Sequence, residues 1–210
     1  MSRIHDLTLT YSEDMPGVSF DQAKDLGKDG WNAKTLHLYS HAGTHMDAPI
    51  HFGVDGPTID KMPVQDFLVE SWIVDISDIE PGGLISIEHL GDVQHDFKSR
   101  EGIVLKSGWS SKIGSPEYRN KLPRVSEELA HWLVEKEVKL LGVEPPSVAD
   151  VNNIEEVTKI HEILLGGRVI IVEGLTNLES ITAKKVTLVA LPLKIKGGDG
   201  APARVIAIED

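Results

Sequence analysis

The chain has 210 residues, 40% of them hydrophobic, enough to bury one sizeable core, so a single domain over residues 1–210 is expected. Its 33 acidic residues outnumber 21 basic ones, for a formal charge of -12. That argues against a nucleic-acid partner, because phosphate binding relies on clustered Lys and Arg. It has no cysteine, which excludes disulfides, thiolate nucleophiles, iron–sulfur clusters and Cys-type zinc sites, so any metal must be held by His, Asp or Glu.

The first residues, MSRIHDLTLTYSED, lack an apolar run of signal-sequence length. No later segment approaches the ~20 apolar residues that span a bilayer, so a soluble, cytoplasmic protein without a membrane partner is expected. IHDLTLTY reads as a strand, FDQAKDLGKDGWN as a flexible stretch, and KTLHLYS as a second strand leading into HAGTHMDAPIHF. SWIVDIS and GIVLKSG follow as apolar strands, and KSGWSSKIGSPEYRNKLP reads as a second flexible region.

A helix is expected from Ser126, a suitable N-cap, with Glu127 and Glu128 in its first turn and Leu129, Trp132 and Leu133 as its apolar stripe. After the strand KLLGVE, a second helix should start near Asn153 and stop at Gly166-Gly167. Ile154, Val157, Ile160 and Leu164 share one face of it, which puts His161 on or beside the buried side. RVIIVEG and VTLVALPLKI read as strands, GGDGAPA as a third flexible stretch, and ARVIAIED as the last strand. Strands outnumber helices and the two are mixed throughout, so an α/β domain with a mixed central sheet is expected.

HAGTHMDAPIHF gathers three of the nine histidines and an aspartate into twelve residues. Gly43 and Pro49 disfavour a helix there, so a tight loop is expected in which Gly43 lets His41, His45 and Asp47 turn inward onto one point. Two imidazoles and a carboxylate suit Zn, Mn or Fe(II), and three protein ligands leave a position open for water or substrate, as a catalytic metal requires. A divalent ion wants more anionic ligation than one Asp. Glu173, inside an apolar run and followed by Gly174, is either that second carboxylate or an edge-strand residue facing solvent. His161 is likewise either a ligand or a satisfied core histidine.

HAGTHMDAPIHF resembles the His-x-Gly-Thr-His-x-Asp-x-Pro-x-His-Phe signature of the cyclase family of metal-dependent hydrolases, which includes bacterial kynurenine formamidase (arylformamidase) and isatin hydrolase. SGWS at 107–110, LAHWLVEKEVKLLGVEPPSVAD at 129–150, HEILLGGRVIIVEGLTNLESI at 161–181 and LPLKIKGGDGAPARVIAI at 191–208 resemble family blocks in family order. The resemblance implies a swivelling β/α/β-type domain, a homodimer or larger assembly, and one or two Zn2+ ions per chain, with Mn2+ as the alternative. It implies His41, His45 and Asp47 as main ligands, His161 and Glu173 as those completing the site, and Asp47 and Glu173 as bridges when two metals are present. His51 matches the proton donor and acceptor. A second metal held by His51, His161 and Glu173 would exclude that proton role, and the proton role is preferred.

The expected reaction is hydrolysis of the C–N bond of a small formamide or cyclic amide such as N-formylkynurenine, with water made acidic by the metal and His51 moving a proton to the departing nitrogen. A metal-assisted cyclase or dehydratase, or a non-catalytic metal-binding protein, are the alternatives. A serine hydrolase is set aside, because SGWSS lacks the Gly-x-Ser-x-Gly elbow. Three departures from the family pattern stand out. DMPGVSF, with Met15-Pro16-Gly17, stands where the resemblance to kynurenine formamidases implies a Trp-Pro-Gly-Asp stretch whose Trp packs on aromatic substrate, with Trp31 or Phe20 as candidate substitutes. Glu144 stands where Asp is common, and Asp150 falls one position late.

Overall fold

A computed structural model describes residues 2–210. Its strands are β1 Arg3–Asp6, β2 Val18–Lys24, β3 Ala33–Leu38, β4 His45–Asp47, β5 Leu68–Asp75, β6 Leu84–Ile85, β7 Gly102–Lys106, β8 Arg124–Val125, β9 Leu140–Val143, β10 Ile170–Glu173, β11 Lys185–Pro192 and β12 Gly200–Glu209. Eight form one mixed sheet in the order β1-β12-β11-β5-β7-β9-β10-β4. Because β4 also pairs with Gly200–Pro202 of β12, seven of these strands curl into a closed ring, with β1 added along the far half of β12. This is the mixed α/β domain expected from the pattern of strands and helices.

β5, β7, β9 and β10 run parallel to one another, with antiparallel β11 beside β5 and antiparallel β4 beside β10, and β7, β9 and β10 are buried along nearly their whole lengths, as their unbroken Ile, Val and Leu runs require. Side chains still alternate across the sheet. Val104, Leu140 and Val172 join Met46, Leu188 and Val205 in one core, while Ile103, Leu105, Leu141 and Ile171 join a second core with the helices.

Those helices are Glu127–Glu135 and Ile154–Gly166. Ser126 Oγ accepts from Leu129 N and Asn153 accepts from Glu156 N, so both begin at the caps their sequences offer. Leu129, Ala130 and Leu133 of the first and Val157, Ile160, Leu164 and Leu165 of the second are buried against the sheet, and His161 is buried among them.

Two stretches expected to be flexible are ordered. Residues 18–38 form an antiparallel hairpin of β2 and β3, with an irregular register between Gln22 and Lys24 and a short helix, Leu26–Asp29, capped by Asp25. GGDGAPA runs directly into β12. In the middle region, Glu144 is buried and accepts from the Ser107 and Trp109 N–H groups and from the Ser107 and Ser110 hydroxyls, so it ties the SGWS turn to the end of β9. Asp150 accepts from Asn152 N in the turn before the Ile154 helix.

Candidate metal centre

The tight loop expected over the histidine motif is only half of what forms. Gly43, at φ +59°, makes the turn, but His45–Asp47 is a strand clamped between β10 and β12. Alternation then does the placing: Met46 points into the ring's core, and His45 and Asp47 emerge together on the other face. Glu173 lies directly across from His45 in the antiparallel register, and since β10 is paired on both sides it is no edge-strand residue. Gly174, at φ +67°, follows at once, and a Cβ there would collide with the Gly43 carbonyl oxygen. Its carbonyl accepts from Thr44 Oγ1 at 2.6 Å, and Tyr11 Oη lies 2.8 Å from both the Ala42 and Thr44 carbonyls. The N-terminal segment thus braces the turn.

His41, His45, Asp47, His161 and Glu173 converge with side-chain exposures of 7% or less. His45 and His161 each donate Nδ1–H to a backbone carbonyl, Gly43 at 2.9 Å and Val157 at 2.7 Å, which leaves both Nε2 atoms facing inward. His45 Nε2 is 3.1 Å from Glu173 Oε2 and 3.7 Å from Asp47 Oδ1; His161 Nε2 is 3.4 Å from Glu173 Oε1 and 3.6 Å from Asp47 Oδ2. His41 Nδ1 is 2.9 Å from Asp47 Oδ1. Two donor sets result, His41-His45-Asp47 and Asp47-His161-Glu173, and Asp47 belongs to both.

Asp47 Oδ2 is buried and has no hydrogen-bond partner among the described residues. A bare carboxylate oxygen in the interior is costly, and a cation beside it removes the cost. Two carboxylates and three inward imidazoles therefore fit a divalent transition metal. The electrostatics agree. Burial disfavours the imidazolium, yet hydrogen bonds and charge from Asp47 and Asp199 overcome it and raise the His41 pKa to about 9. His45 and His161 are raised against burial by Glu173 and Asp47, and the same pairs hold Glu173 well below the carboxylate range despite its burial.

His51 comes from a short 3-10 turn, Pro49–Phe52. Its ring stacks on His41 at 3.7 Å, and Phe52 stacks on His161 at 4.3 Å. His51 keeps 24% of its side chain exposed, so the site meets solvent on its side. Burial, with the positive charges of His41 and His161, lowers its pKa against the pull of Asp47 and Glu173. It is not grouped with His161 and Glu173: the two rings lie 6.1 Å apart, and the carboxylate that completes the second donor set is Asp47. A cavity of 610 Å3 reaches Asp47 and Pro49 from behind, next to Lys139 and Ile170 at the starts of β9 and β10.

Residues 5–150 match the Cyclase family model, described as "Putative cyclase". The chain belongs to the cyclase family. A kynurenine formamidase from Salinibacter ruber is 32% identical over 175 residues, covering 83% of this chain and 79% of that relative. One from Bacillus cereus is 31% identical over 177 residues, with the same coverage. Isatin hydrolase A from Ralstonia solanacearum shares the fold with a TM-score of 0.89 at 23% identity, over 100% of this chain and 92% of that one.

Sequence reasoning missed one acidic neighbour of the candidate site. Asp199 accepts from His41 Nε2 at 2.9 Å and from Ser40 Oγ at 3.3 Å, and lies 3.8 Å from His51 Nδ1. Its signal, an acid flanked by glycines at a strand start, reads equally well as a solvated loop. Met15, of the DMPGVSF stretch, packs its sulfur against the Gly43 turn; Trp31 is 56% exposed and Phe20 lies beneath Lys34 in the hairpin.

Proposed function

We propose that this chain is a metal-dependent hydrolase cleaving the C–N bond of a small formamide or cyclic amide, with the whole chain acting as one catalytic domain. The observation that carries this reading is Asp47, a member of both donor sets whose Oδ2 is buried without a hydrogen-bond partner among the described residues, beside a histidine open to solvent. His41, His45 and Asp47 would hold the first ion, and His161 and Glu173 would complete the site. A divalent cation bound there, Zn2+ or alternatively Mn2+, would supply the Lewis acidity that lets water lose a proton near neutral pH and polarises a carbonyl. His51, neutral at pH 7 because its pKa is lowered, accepts the proton of the attacking water and returns it to the departing nitrogen. Phe52 and Met15 offer apolar and polarisable surface for the acyl compound's carbon skeleton.

A homodimer belongs to the same reading. The β2–β3 hairpin carries Leu26, Trp31 and Leu36 exposed at 56–60%, and a two-stranded hairpin is marginal by itself, so a second copy covering it is the fitting occupant. Cytoplasmic location is likewise part of the reading, and fractionation of cells expressing the chain tests it.

The deciding experiment strips the protein with a chelator, restores Zn2+ or Mn2+, and assays N-formylkynurenine, isatin, simple lactones and cyclic imides. Hydrolysis lost on stripping and regained on loading is expected, with about one to two ions per chain. Protein that purifies metal-free and ignores chelators refutes the reading.

A further inference from the structure

Asp199 is built into the loop beneath His41. Its carbonyl accepts from Ala48 N at 2.9 Å, one residue beyond Asp47, and Gly197 N two residues earlier donates to Asp60 Oδ1 at 3.0 Å. A Cβ on the next residue, Gly200, would come within 2.6 Å of the His41 ring, so this part of the chain is shaped around that imidazole. Asp199 Oδ2 then takes the Nε2 proton of His41 at 2.9 Å.

His41, His51 and Asp199 also lie close enough to suggest a cation of their own. Ring geometry argues against it. An imidazole binds a cation in its own plane, and the His41 and His51 rings are stacked with planes only 20° apart, so their lone pairs run side by side and do not meet. Asp199 therefore faces a ligand, not an ion.

We propose that Asp199 is a positioning residue for the metal site: by holding the Nε2 proton of His41 it fixes the tautomer and ring orientation that leave Nδ1 to bind the cation beside Asp47. A carboxylate behind a ligating histidine also makes the imidazole a stronger donor. The proposal rests on the metal-dependent reading above, and binding of the cation releases whatever proton Nδ1 carries.

The test is a Co2+ titration against a competing chelator, followed by visible absorption, on the wild type, Asp199→Ala, Asp199→Asn and Asp60→Ala. Asp199→Ala should bind Co2+ about 10- to 100-fold more weakly with a shifted absorption band. Asp199→Asn, which can still accept the hydrogen bond but has no charge, should fall between it and the wild type. Asp60→Ala, which loosens the same loop without touching His41, should stay within about two-fold. Asp199→Ala binding as tightly as the wild type with an unshifted band, or Asp60→Ala losing as much as Asp199→Ala, overturns the proposal. Should Asp199→Ala fail to fold, Asp199→Asn decides, and wild-type affinity and spectrum in that variant overturn it. Wild-type protein that takes up no Co2+ refutes the metal reading itself, a distinguishable failure.

Discussion

Two histidine–carboxylate clusters differ in this molecule, and the one whose residue types look more like a serine hydrolase is the one whose hydrogen bonds are all satisfied within the protein. Near the chain ends His5 lies between Glu209, 2.6 Å from Nε2, and Ser180, 2.7 Å from Nδ1, the three side-chain types of a serine-hydrolase triad. Yet Ser180 donates its proton to the Asn177 carbonyl, and the other Glu209 oxygen accepts from Thr182 N, Thr182 Oγ1 and Ala183 N. Each group has a partner inside the protein, and together they tie β1, β12 and the turn at 178–180. The metal-centre cluster differs in what it leaves unfilled, a buried carboxylate oxygen and inward nitrogens aimed at one region. Open valence, more than residue type, distinguishes a site from a clamp.

The sharpest way to break that contrast is to remove the shared carboxylate. Asp47→Asn keeps the shape and discards the charge; turnover should fall by about a thousand-fold or more, roughly 4 kcal/mol of transition-state stabilisation, and bound metal should fall with it on elemental analysis. Retention of both would show the bare oxygen to be incidental. His51→Ala should cost about 100-fold in kcat, near 2.7 kcal/mol, while sparing the metal. Burial, aided by His41 and His161, keeps His51 below the usual 6.5, so kcat/KM should decline as pH falls through a midpoint under that value, where the base becomes protonated. The variant should lack that limb. An unaltered pH profile would remove His51 from the proton step.

How much of this was legible beforehand depends on where the signal lay. The parallel strands and both long helices were readable because their apolar runs and caps are local. His41, His45, Asp47 and His51 were readable as a motif, whereas Glu173 and His161 were ambiguous from local pattern and were singled out only by the family resemblance; the strand pairing that opposes Glu173 to His45 is long-range and invisible in sequence. β4 was missed because three residues are too few to show a period and all three are buried, whatever their polarity. Of the hairpin, β3 was legible in KTLHLYS, whereas β2 was missed because its residues are largely exposed and polar, so no alternation betrays it. Asp199 was missed because its partner is 158 residues away and its flanking glycines signal flexibility, where Gly200 in fact admits an imidazole.

A third change probes whether the site's scaffold is as exact as its donors. Gly174→Ala places a side chain at φ +67°, which costs about 1–2 kcal/mol before any contact is counted, and its Cβ meets the Gly43 carbonyl. A loss of about 2 kcal/mol, roughly 4–8 °C in Tm, is expected, together with weaker metal uptake as the Gly43 turn is pushed from β10. Unchanged stability would mean the close approach of the two turns is not needed.

The smallest effect tests the clamp. Hydrogen bonding by Thr182, His5 and the 182–183 amides outweighs burial and holds Glu209 at about 2, against the usual 4.5. A carboxylate depressed in the folded state stabilises that state above its unfolded pKa, and the contribution disappears as pH falls through the folded one. Glu209→Gln should therefore melt lower than the wild type at pH 6 to 7, with the gap narrowing below pH 4.5 and closing near pH 2. Turnover per folded chain should not change, since every valence of the clamp is used within the protein. Were the variant stable but inactive, the Ser180-His5-Glu209 cluster would be chemistry after all, and satisfied hydrogen bonding would no longer separate the two regions.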